Sequence, residues 1–132
     1  MSDNIAVKRA TPVLPVEHIE PVLAFWEKAL GFERAVEVPH GEALGFVALG
    51  KGTVEIMYQT YASIGSDIAA YDAPARSGKT FLFVEVEDLA AVESALAGFD
   101  RVFPRRETFY GSTEIGYREP GGHFVTFAQF KR

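Results

Sequence analysis

"VEHIEPVLAFWEKALGFER" (Val16–Arg34) and "VEDLAAVESALAGFDR" (Val86–Arg101) are two versions of one phrase. Val16–Ile19 matches Val86–Leu89 at an offset of 70, and Gly31–Arg34 matches Gly98–Arg101 at an offset of 67, so the second copy is three residues shorter between its ends. An internal recurrence of this kind marks a duplicated module. In the first copy Ile19, Val22, Leu23, Trp26 and Leu30 fall at the spacing that lays one apolar stripe along a helix. Pro21 suits the first turn, where its missing N–H is not needed, and Gly31 is placed to end the helix in a left-handed conformation. In the second copy Leu89, Val92 and Leu96 make the stripe, Asp88 is the expected N-cap and Gly98 the stop.

Strand-like segments surround both helices. "TPVLPV" (11–16) precedes the first, and "RAVEV" (34–38), "GFVALG" (45–50) and "TVEIMYQ" (53–59) follow it. "TFLFVEV" (80–86) precedes the second, and "RVFP" (101–104), "TEIGYRE" (113–119) and "HFVTFAQF" (123–130) follow. The expected fold is therefore α+β: two β-α-β-β-β modules, at about 9–59 and 79–130, within one domain spanning 1–132. Residues 60–78, rich in Ala, Ser, Gly and Asp, read as a crossover or linker with a short helix near Asp67–Tyr71.

Alternation assigns faces. Leu14 and Val16, Val54 and Ile56, Leu82, Val84 and Val86, and Val125 and Phe127 should point to the helices. Thr11 and Val13, Glu55, Met57 and Gln59, Phe81, Phe83 and Glu85, and Phe124, Thr126 and Ala128 should line the opposite, concave face. His123 is out of phase with that second set, which predicts a histidine turned away from the cleft, solvated or locally hydrogen-bonded. His18 and His40 read as a helix-start and a loop residue.

The 132 residues hold eleven phenylalanines, five tyrosines and one tryptophan, enough for a core. A net charge of −5 argues against nucleic acid or anionic membranes as partners and favours cationic ligands. The absence of cysteine excludes disulfides, thiolate nucleophiles and Cys-based zinc sites. No apolar run reaches the roughly 20 residues that span a bilayer, and "MSDNIAVKRA" lacks a signal-peptide core, so the expectation is a soluble cytoplasmic protein.

The element order, with "PVLPVEHIEPVLAFWEKALGFE" and "EIGYREPGGHFVTFAQ", resembles the vicinal oxygen chelate superfamily of glyoxalases, dioxygenases and bleomycin-resistance proteins, over residues 9 to 130. The resemblance implies four metal-ligand positions, which fall here on Thr11, Glu55, Phe81 and Thr126. Only Glu55 is a good ligand, so neither a metal site nor another cofactor is expected.

The first strand and helix, and the "REPGGHFVTF" turn, are most similar to the bleomycin-resistance proteins, with Glu119 and His123 in place of the usual Asp and Asn. That similarity implies an antibiotic-resistance role, a homodimer and a small-molecule ligand such as a bleomycin-like drug, sequestered without chemistry. The expected ligand-binding residues are Glu55, Met57, Phe81, Phe83, Glu85, Tyr110, Phe124 and Thr126, with no catalytic residue. Aromatics and Met57 would stack on the ligand while the two glutamates hold a basic group. The alternative is a glyoxalase- or dioxygenase-type lyase or isomerase, with Glu55 as general base.

Overall fold

The computed structural model describes residues 4–131. The first repeat phrase folds as β1 (Val13–Val16), helix α1 (Glu20–Leu23) continuing as a π-helical turn over Ala24–Ala29, then β2 (Glu33–His40), β3 (Ala43–Lys51) and β4 (Val54–Thr60). The second folds as β5 (Phe81–Glu85), a helix over Leu89–Ala95, then β6 (Asp100–Glu107), β7 (Ser112–Arg118) and β8 (Phe124–Phe130). Sheet one has the order β1-β4-β3-β2 and sheet two the order β5-β8-β7-β6, so the two share one topology. The first strand of each pairs parallel with the last, and the other pairs are antiparallel. Gly31 and Gly98 both follow the helices with positive φ, +77° and +92°, as the sequence pattern requires. Asp88 accepts the Ala91 N–H at 3.2 Å and caps its helix.

Strands β2 and β6 run past the prolines at which the sequence reading stopped them. Both are edge strands, where Pro39 and Pro104 withhold a donor from no neighbour, and their pairings shift register nearby. Val54, expected beneath the helix, is exposed at the start of β4 opposite Lys51.

The first helix carries more than one stripe. Ile19, Val22 and Trp26 are buried as the spacing predicts, and so is Phe25, which lies off that stripe. Its ring meets Phe99, Tyr117 and Phe127 of the second module at 5.3–6.4 Å. The helix is thus packed against both sheets, and one apolar cluster joins Leu14, Val16 and Tyr58 to Ile115, Tyr117 and Phe127. Burying a ring such as Phe25 stabilises the fold by about 1.5–3 kcal/mol.

The connection is not a bare linker. Thr60 Oγ1 accepts the Ser63 N–H at 3.2 Å and starts α2 (Tyr61–Asp67). A 3₁₀ turn (Ala69–Tyr71) and α3 (Asp72–Ser77) follow. The anticipated short helix at Asp67–Tyr71 is met in part by that 3₁₀ turn, which follows a break where Ile68 is extended. Ile64 and Ala75 anchor these helices by burial. Pro74 is harmless in the first turn of α3.

The "REPGGH" turn does more than close sheet two. Its Glu119 carbonyl accepts Gly122 N–H at 2.8 Å, and Gly121 lies so near module one that a Cβ there would sit 2.6 Å from Val16 Cγ1 and 2.9 Å from Val22 Cγ1. Trp26 Nε1 donates to the Tyr58 hydroxyl at 2.8 Å, Tyr58 donates to Glu119 Oε2, and Glu119 Oε1 accepts the His123 N–H at 2.7 Å. Burial, reinforced by the Glu119 charge, pushes the Tyr58 phenol well above its ordinary pKa, so it acts as a donor. His123 faces away from the concave side, but it is only 2% exposed and its bonds are not local. Nδ1 accepts the Thr80 N–H at 2.9 Å, which leaves Nε2 to donate to the Pro15 carbonyl at 2.6 Å. This ring stitches the free edge of β1 to the start of β5.

Candidate functional site

Each sheet has a face turned away from the helices, and the strand register shows what lies on it. In sheet two, Phe81 pairs with Phe124, Phe83 with Thr126 and Glu85 with Ala128, while β7 adds Glu114, Gly116 and Arg118 to the same rows. Phe81, at 76% exposed, stacks on Phe124 with centroids 5.2 Å apart and planes 14° from parallel. Phe83, at 54%, meets Phe130 edge-on at 6.3 Å, and Phe130 lies 6.2 Å from Tyr110 in the β6–β7 turn. Tyr110 in turn meets Phe109, which is 90% exposed, at 5.2 Å. Rings on this side thus form two groups, the Phe81–Phe124 stack and the series Phe83–Phe130–Tyr110–Phe109. Large apolar side chains left in water in clusters on one sheet are the mark of a binding surface, because scattered single residues would need no such account.

Beside Tyr110, in the row between Phe83 and Phe130, sits a carboxylate. Glu114 is 1% exposed, with Oε2 accepting from the Tyr110 and Ser112 hydroxyls and Oε1 from Arg106 Nη2 at 3.1 Å. Burial pushes the Glu114 carboxyl up, but these three donors outweigh it and hold it below the ordinary carboxylate value, so it is ionised at neutral pH. Arg106, its counter-charge, is 57% exposed and lies 5.4 Å above the Phe103 ring.

Sheet one presents Glu55, Met57 and Gln59 at half-buried positions on its open face. Glu55 accepts from the Thr11 hydroxyl at 3.2 Å and pairs with Arg9 at 3.5 Å. Both contacts are made by Oε1. Part of the same face passes under α2 and α3, leaving a cavity of about 370 Å³ lined chiefly by Val13, Pro15, Ile64, Ile68, Tyr71 and Ala75.

The four positions at which the resemblance implies metal ligands do not fit a divalent ion. Glu55 is held by Arg9 and Thr11, Phe81 is stacked on another ring, and Thr126 is a poor donor. Among the described residues no three His, Asp or Glu side chains converge to hold one.

Of the residues singled out from sequence, the structure gathers Phe81, Phe83, Phe124, Thr126 and Tyr110 on the open face of sheet two, with Glu85 exposed on the same strand. Glu55 and Met57 lie on sheet one. Glu114, Ser112, Arg106, Phe103 and Phe130 were not singled out. The pattern "TEIGYRE" held a signal for the first: with Ile115 and Tyr117 turned to the core, Glu114 must face the cleft. Among the described residues no helix is long and apolar enough to cross a membrane.

The family profile described as the Glyoxalase/Bleomycin resistance protein/Dioxygenase superfamily matches residues 8–127. No curated protein matches the chain significantly. Among solved structures, TioX from Micromonospora sp. ML1 superposes with a TM-score of 0.73 at 17% identity, over 95% of this chain and 100% of that one. A glyoxalase/bleomycin resistance protein/dioxygenase from Nocardioides gives 0.69 at 19% identity, over 96% and 87%. A bleomycin-binding protein from bleomycin-producing Streptomyces verticillus, complexed with copper(II)-bleomycin, gives 0.63 at 21% identity, over 96% and 99%. At these identities the likeness establishes the fold.

Proposed function

The chain belongs to the glyoxalase/bleomycin resistance protein/dioxygenase superfamily, and from that premise we propose that it is a metal-free binding protein which sequesters a planar, cationic aromatic molecule in a cleft completed by a second copy. The observation that carries this reading is the clustering of exposed rings on sheet two, from Phe81 to Phe109. Flat rings gain most by stacking on exposed aromatic faces, and an open face becomes a cleft only when a second surface covers it. The Streptomyces verticillus neighbour is a bleomycin-binding protein complexed with copper(II)-bleomycin, which supports a small-molecule ligand for this chain.

Native mass spectrometry of protein purified without chelator tests the reading, with metal analysis on the same sample and copper(II)-bleomycin added in a second run. The expected result is a metal-free dimer taking up one drug per cleft. One tightly held divalent ion per chain, with no drug uptake, overturns it.

A further inference from the structure

We propose that Glu114 receives the positive charge of the bound ligand, and that an amine, amidine or guanidine of the ligand takes the place of Arg106 on Glu114 Oε1. This rests on the sequestration reading above and names the residue that would select its ligand by charge.

Four strands bring the parts into one row. Glu85, Ala128, Glu114 and Arg106 lie side by side across sheet two. With strands spaced about 4.8 Å apart, the two glutamates stand about 10 Å from each other across the small Ala128. Phe83 lies one step along β5, and the ring of Phe103 covers Gly116, so closely that a Cβ on Gly116 would collide with it.

The two oxygens of Glu114 are held differently. Oε2 is fixed by two neutral hydroxyls, those of Tyr110 and Ser112, and needs no further partner. Oε1 is held by a single bond from Arg106, whose side chain lies mostly in solvent and makes a second contact on the Phe103 ring. Arg106 thus already shows that this position takes a guanidinium, and its side chain is exposed enough for the guanidinium to be hydrated once released. The buried carboxylate cannot be left without a cation, so the transaction is an exchange rather than a vacancy. A flat cation restores the charge and gains ring stacking on Phe83 and Phe130, which Arg106 does not supply. Glu55, one of the two glutamates expected to hold a basic group, lies on the other sheet, away from Phe83 and Phe130.

Exchange makes a prediction of opposite signs. Binding of 9-aminoacridine, a cation at neutral pH, and of acridine-9-carboxylate, its anionic counterpart, is followed by fluorescence for the unaltered protein, Glu114→Gln and Arg106→Ala. The unaltered protein should prefer the cation. Arg106→Ala removes the competitor and should tighten cation binding by about threefold to tenfold, whereas Glu114→Gln should weaken it by about tenfold, the size of one charge-assisted hydrogen bond. A residue that merely props up the face would make both variants bind more weakly, and that result overturns the inference. If Glu114→Gln does not fold, the exposed Arg106→Ala decides alone: weaker cation binding, or anion binding that depends on Arg106, overturns the exchange. Equal binding of both acridines by the unaltered protein overturns the role of Glu114 and leaves sequestration standing. Failure to bind either acridine or copper(II)-bleomycin overturns both.

Discussion

On sheet one the open face passes beneath α2 and α3, whereas the matching face of sheet two leaves Phe81 and Phe83 in solvent. Both faces come from the same strand order, and their helix-side faces share one core. The module therefore specifies only its helix side. What lies on the other side is free to be closed by the chain or kept open for something else, and exposed rings on the open one are not a folding requirement. The helix side of sheet two illustrates this, since Val125, Phe127, Ile115 and Tyr117 on it are buried while the rings on the reverse are not.

That contrast can be broken most severely at the shared core. Phe25→Ala should cost about 3–5 kcal/mol, as for other buried phenylalanines. Because Phe25 touches rings of the second module, both sheets should unfold in one transition in a urea melt. Two separate transitions would mean that the sheets stand independently and that the contrast between them is one of two folding units. A smaller effect is expected from Ile64→Ala, which loosens the helices over sheet one. It should cost about 2 kcal/mol, the lower end for a buried Ile, and hydrogen exchange should rise in 61–77 without rising in β5–β8. An equal rise in sheet two would show that the two faces are coupled. The smallest effect belongs to Phe81→Ser, which should change stability by no more than about 0.5 kcal/mol yet weaken acridine binding by about twofold to tenfold through lost stacking. A large drop in melting temperature with unchanged binding would turn the exposed rings into a structural element.

Much of this contrast was legible in the residues. The duplicated phrase, the glycine stops and the Asp88 cap determined two helices at matching places, since capping and left-handed termination depend on a few neighbouring residues. Alternation in "TFLFVEV" and "HFVTFAQF" put Phe81, Phe83, Phe124 and Thr126 on one face, where the register places them. Of the helices in 60–78 only a short one near Asp67–Tyr71 was legible; α2 and α3 were not, because Gly65, Pro74 and the Ser residues weaken the local signal and burial of Ile64 and Ala75 stabilises them. The burial of Phe25 was not legible from one stripe, since a helix wedged between two sheets needs a second apolar side that one period does not reveal.

The same division runs through the polar residues. From the sequence alone come the two modules, the faces of their strands and the aromatic character of one of them, all consequences of periods of about 2 and 3.6 residues that any short segment carries within itself. Only the tertiary structure decided that His123 would join Pro15 to Thr80, that Glu119 would meet Tyr58, and that Glu114 would be buried with Arg106, Tyr110 and Ser112 around it. A buried charge or imidazole is tolerated only when donors and acceptors satisfy it; some come from nearby residues, but Arg106 for Glu114, Tyr58 for Glu119, and Pro15 and Thr80 for His123 reach it only when the sheets assemble.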